Sequence, residues 1–111
     1  MKQTIKIEVD LDENHLPENI SMHSSDSPAN ENDIKALFVS AWQAKKKETL
    51  RIDLWTKDMP VNEMFIFYHQ SLLSMAQTLE KSTGHERLSG ALRDYCDFFA
   101  EQTKIINSKK S

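Results

Sequence analysis

From residue 4 to residue 11 the apolar side chains Ile5, Ile7, Val9 and Leu11 alternate with Lys6, Glu8 and Asp10. That is the period of a strand with one buried and one wet face. The polar run Asp12, Glu13, Asn14 and His15 reads as a turn. Beyond it Ile20 and Met22 resume the alternation, which predicts a hairpin whose second strand opens at Pro17. Residues 23–32, HSSDSPANEN, are rich in turn formers and poor in apolar side chains, and predict a mobile loop.

Ile34, Leu37, Phe38, Ala41 and Trp42 fall at the i, i+3, i+4, i+7, i+8 spacing of one helical face. A helix is predicted there, capped by Asn30 or Asn32 and ending in Lys45, Lys46 and Lys47, whose charge answers the helix dipole. Leu50, Ile52 and Leu54 return to period 2 and predict a third strand, with these three in the core and Arg51, Asp53 and Trp55 on the opposite face. A helix must begin near residues 58–60, because proline is tolerated in a first turn, with either Asp58 or Met59 as its cap.

Val61, Met64, Phe65, Tyr68, Leu72, Met75, Ala76 and Leu79 form its apolar stripe. The stripe ends near Ser82, with Gly84 as a left-handed stop, a length of about 34 Å at ~1.5 Å per residue. Leu88, Leu92, Tyr95, Phe99 and Ile106 mark a final helix with Ala91 and Cys96 on its flanks, Gly90 permitting close packing, and residues 107–111 as a frayed tail. The order β-β-α-β-α-α predicts one α+β domain over residues 1–111, a three-stranded, mostly antiparallel sheet packed on one face by three helices.

Charge and composition narrow the function classes. Seventeen acidic against fourteen basic residues, a net charge of −3, argue against nucleic acid, which needs a broad cationic face. The longest apolar run is far short of the roughly 20 residues of a membrane span. The amino end alternates charge and apolar residues where a secretion signal needs an unbroken apolar stretch. Cys96 is the only cysteine, so no intramolecular disulfide forms and a reducing compartment, the cytoplasm, is expected.

Candidate chemistry is sparse. His15, His23, His69 and His85 are scattered without ligand spacing, so they read as exposed or helix-flank residues and not as a zinc site. Cys96 has the helix-face spacing of a core residue, and with only Gly84 and Gly90 in the chain a phosphate-cradling loop cannot be built. Asp94, Asp97 and Glu101 read as a solvated helix face in preference to an ion site. Met59, Met64 and Met75 read as core fillers in preference to an adaptable groove. No catalytic residue, metal or cofactor is expected. Trp55 stands apart: strand alternation sends it outward between charges, as in an interaction hot spot, unless the strand ends before it or Lys57 covers the ring.

Three strings carry a further likeness: RIDLWTKDM at residues 51–59, HQSLLSMAQTLEKSTG at residues 69–84 and LRDYCDFFAEQ at residues 92–102. With IKIEVDLDENHLPENI at residues 5–20, they resemble the gliding motility-associated GldC family over nearly the whole chain. The resemblance implies a cytoplasmic accessory to cell-surface gliding that assists the machinery without chemistry of its own. It brings no catalytic residues.

Two functional readings follow. The first is a non-enzymatic protein that docks a motility or secretion component, or a second copy of itself, through Arg51, Asp53, Trp55, Lys57 and Asp58. A homodimer through the polar sheet face or the edge of the third strand fits the same pattern. The second is a small-ligand binder or minor enzyme with a pocket between the long helix and the sheet, near Tyr68, His69 and Asp58.

Overall fold

The alternating residues at the amino end form β1 (Ile5–Leu11), which pairs antiparallel with β2 (Pro17–Ser24). The chain is described by a computed structural model over residues 1–26 and 31–105. These residues group into two compact units, Met1–Met59 and Pro60–Ser111.

In the first unit the turn at residues 12–15 closes as its polar residues dictate. The Asp12 carboxylate accepts from the N–H groups of Asn14 (2.8 Å) and Leu16 (2.9 Å), and His15 adopts a left-handed φ of 63°. The ladder slips by one residue near Leu11, where Glu18 bulges from β2, as an extra residue on one strand requires. Ile20 is almost fully buried. It pairs with Val9 on one side and Ile34 on the other.

Residues 23–32 are not simply a loop. His23 and Ser24 complete β2, and β3 (Glu31–Ile34) joins the same sheet in the order β1-β2-β3. Residues 27–30, and with them Asn30, lie outside the described residues, as do residues 106–111 and the predicted tail. Asp33 takes a φ of 64° within a bulge on β3, a backbone angle that Asp tolerates better than most residues.

The predicted helix from Ile34 to Lys47 is a strand. After the single residue Lys35 the chain continues as β4 (Ala36–Gln43), which pairs with β5 (Glu48–Trp55) in a separate two-stranded sheet. Leu37, Val39 and Ala41 satisfy period 2, although Leu37 and Ala41 also fit the helical spacing. Phe38, Val39 and Trp42 favour the extended form, and β5 offers a partner in register. The three lysines form the hairpin tip at residues 44–47, where Lys47 has a φ of 53°.

β5 forms as expected, but its core assignment changes. Leu50 (55%) and Ile52 (54%) are exposed, because a two-stranded ribbon has no second layer of its own to cover its apolar face. Only Leu54 of the three is half-buried.

In the second unit α1 (Val61–Thr83) starts after Pro60, whose extended backbone (φ −70°, ψ 144°) makes it the cap in place of Asp58 or Met59. It stops at Gly84, with φ 71° and its N–H bonded to the Glu80 carbonyl (2.7 Å). α2 (Glu86–Thr103) is capped by His85, whose Nδ1 accepts from the Leu88 N–H at 3.1 Å. The fold is thus α+β with five strands in two small antiparallel sheets followed by two helices, not three strands and three helices.

The helices meet along a seam of small residues. Ala76, Ser89, Cys96 and Ala100 are fully buried, and the Ser89 hydroxyl donates to the Ala76 carbonyl at 2.8 Å. Phe65 meets Phe99 edge-on at 6.2 Å, and Arg93 pairs with Glu80 at 3.0 Å. The predicted α2 stripe is therefore rotated: Cys96 is central, while Leu88 and Tyr95 are exposed. A Cβ on Gly90 would meet nothing within 4 Å, so close packing does not explain that glycine.

Candidate functional site

Cross-strand pairing decides which side chains share a face, since directly opposed residues of an antiparallel ladder point the same way. Arg51 lies opposite Ser40, Asp53 opposite Phe38, and Trp55 opposite Ala36. The structure thus brings three of the predicted residues onto one face of the β4–β5 ribbon. There the Arg51 guanidinium donates to the Asp53 carboxylate (2.7 Å) and to the Ser40 hydroxyl (2.6 Å). Trp55 is 55% exposed.

Lys57 and Asp58 lie beyond the strand and turn to other partners. Lys57 Nζ reaches Asp12 Oδ2 at 2.9 Å and Glu18 Oε1 at 3.6 Å, while its backbone N–H donates to the Pro17 carbonyl at 3.3 Å. Asp58 accepts from the buried Thr56 hydroxyl at 2.6 Å and pairs with Lys35 at 3.2 Å. Thr56 in turn donates its N–H to the Lys35 carbonyl at 2.8 Å. Residues 56–58 therefore fasten the end of β5 both to the start of β2 and to the junction of β3 and β4.

These ties polarise the groups involved. Lys57 first, then the Leu16 and Asn14 amides, hold the Asp12 carboxyl below its ordinary value of 3.8. Asp12 in turn raises Lys57 above 10.5. The Thr56 hydroxyl, followed by Lys35, lowers Asp58, and Asp58 with Asp33 raises Lys35. Each effect is the stabilisation of a charged form by a hydrogen bond or an opposite charge.

Between the fastened strip and the start of β2 runs a groove of about 300 Å3, lined by Leu16, Pro17, Asp53, Leu54, Trp55 and Lys57. Its lining is mostly apolar and includes one acidic residue, Asp53, and one basic residue, Lys57. The sequence alone singled out Asp53, Trp55 and Lys57 but missed Leu16 and Pro17 as their neighbours, and Asp12, Glu18, Lys35 and Thr56 as the partners that orient them. Only the turn signature of Asp12 and the strand-opening Pro17 were visible beforehand, and neither indicates a partner some forty residues on.

Tyr68 and His69 belong to the second unit, where His69 stacks on Phe99 with ring centroids 6.3 Å apart. A shallow groove between α1 and α2 is lined by Ser74, Met75, Thr78, Leu79, Ser82 and Leu92. Asp94, Asp97 and Glu101 lie on the exposed side of α2. Among the described residues no helix is long and apolar enough to cross a membrane.

The profile of the gliding motility-associated GldC-like family matches residues 17–105. That span contains β2 through β5, both helices, and every residue lining the groove except Leu16. No curated protein and no solved structure gives a match to the chain.

Proposed function

The chain belongs to the GldC-like gliding motility-associated family, and from that premise we propose that it is a non-enzymatic accessory of gliding that works by docking a protein partner in the Trp55 groove. The observation that carries this reading is the half-exposed Trp55 ring beside Leu16, Pro17 and Leu54, with Asp53 and Lys57 in the same lining. A large, rigid aromatic at the edge of an apolar notch is the typical anchor of a protein contact, and flanking charges select the partner's orientation. The partner would be a motility or secretion component presenting an apolar or aromatic side chain to the groove.

The clasp around Lys57 and Asp58 supports the same reading. It holds the groove walls in place before any partner arrives, which lowers the ordering cost of binding. In this reading the protein acts inside the cell, on the cytoplasmic side of the machinery.

The test replaces the chromosomal copy in a gliding bacterium with Trp55→Ala. Partner capture by crosslinking in living cells and colony spreading should both fall, while the circular dichroism of the purified variant stays that of the parent. Unchanged capture and spreading in a folded Trp55→Ala protein would refute the assignment.

A further inference from the structure

We infer that two copies of this chain pair through the outer edge of β5, antiparallel and centred on Ile52, so that Arg51 of each copy faces Asp53 of the other.

The phase of the β4–β5 ladder exposes the edge. Trp55 lies opposite Ala36, and the Thr56 N–H donates to the Lys35 carbonyl. This bond places Trp55 and Ala36 in a non-hydrogen-bonded pair. The even-numbered residues of β5 therefore turn their N–H and C=O groups toward β4, and Thr49, Arg51, Asp53 and Trp55 turn theirs outward. Among the described residues β5 pairs with β4 alone. At its carboxyl end the edge closes, since the next outward N–H, that of Lys57, is taken by the Pro17 carbonyl. The open stretch runs from Thr49 to Trp55, and Ile52 is its midpoint.

An edge of this kind is a template for another strand, and its side chains select which one. In a two-fold antiparallel pairing centred on Ile52, Arg51 opposes Asp53, Leu50 opposes Leu54, Thr49 opposes Trp55, and Ile52 meets its own copy. Every outward N–H and C=O from Thr49 to Trp55 then finds a partner. Shifting the centre to Arg51 sets two guanidinium groups against each other, and shifting it to Asp53 sets two carboxylates against each other. Like charges directly opposite are destabilising, whereas opposite charges and apolar pairs stabilise. The sequence LRIDL is thus complementary in charge and matched in hydropathy to a second copy running the other way, and centring on Ile52 is the register that sets Arg51 opposite Asp53.

The apolar side agrees. Leu50 and Ile52 are more than half exposed on the face away from Arg51 and Asp53, and a paired copy brings Leu54 and Ile52 against them. This interface uses the backbone edge and the Arg–Asp exchange and not the Trp55 ring, but its strand runs along Asp53–Trp55, one wall of the groove, so pairing of two copies and filling of the groove compete.

The experiment uses the full chain. Sedimentation equilibrium over a concentration series should show a species of twice the 12.8 kDa chain mass. Arg51→Asp or Asp53→Arg alone should weaken it by about tenfold or more, since each places like charges opposite one another. The double exchange R51D/D53R should restore it. In Ile52→Cys the two thiols meet on the axis at a separation suited to a disulfide, so mild oxidation should link the copies. Leu50→Cys and Leu54→Cys should stay unlinked. A protein that remains monomeric throughout, or a dimer that links through Leu50→Cys or Leu54→Cys and not through Ile52→Cys, would overturn the proposal.

Discussion

Lys57 and Asp12 lie 45 residues apart in the chain and 2.9 Å apart in the folded unit. The bond joins the strip after β5 to the turn before β2, and it gives the unit a definite response to pH. Asp12 has a depressed carboxyl, so its contribution to stability is present above its ordinary value of 3.8 and fades as pH falls through the lower folded value. Lys57 is raised, so its contribution is present below 10.5 and fades as pH climbs through the higher folded value. Thermal unfolding should therefore show the parent above Asp12→Asn at neutral pH, with the gap closing only in the acid range. A gap that stays constant into strong acid would contradict this assignment.

Thr56 is buried, and its hydroxyl is the first cause of the low Asp58 carboxyl. Thr56→Val keeps the shape and removes the donor. Denaturant unfolding should show a loss of about 1 kcal/mol. Proton titration followed by NMR should show Asp58 moving upward toward 3.8. A variant in which Asp58 titrates as in the parent would remove Thr56 from this role.

The seam of Ala76, Ser89, Cys96 and Ala100 leaves no room for larger side chains. Ala76→Leu should cost about 1–3 kcal/mol through overpacking. Burial, with Asp97 nearby, pushes the Cys96 thiol up, so it should resist alkylation until the helices part. Labelling of Cys96 should be slow in the parent and faster in Ala76→Leu, as measured by mass spectrometry over time.

The two glycines should respond in opposite directions. Gly84 holds a φ of 71° and a Cβ there would meet nothing within 4 Å, so Gly84→Ala should cost about 1 kcal/mol through backbone strain alone. Gly90 sits within α2 with equal space and no such angle, so Gly90→Ala should stabilise by roughly 0.5–1 kcal/mol. Melting temperatures of the two variants check both signs.

Period and turn chemistry made β1, β2, β5, α1 and α2 readable, including the stop at Gly84, because in each a single pattern dominates. Residues 34–42 carry two patterns at once: Leu37, Ala41 and Trp42 fit a helix while Leu37, Val39 and Ala41 fit a strand. The decision lay in pairing with β5, which local spacing does not encode. The exposure of Leu50 and Ile52 was illegible for a related reason: alternation tells which side chains share a face, not whether a second layer covers it. At the groove, Trp55 stood out by its own alternation, but Leu16 and Pro17 could be placed beside it only through the Lys57 ties.

The β4–β5 hairpin carries a kinetic consequence. Its ladder begins with Gln43 opposite Glu48, across the lysine tip, and extends stepwise to Ala36 opposite Trp55. Such pairings close short loops at little entropic cost, whereas joining Lys57 to Asp12 closes a much longer one. Within this unit the ribbon is the natural place for folding to begin. The clasp that shapes the groove would then be among the last contacts made and the first released.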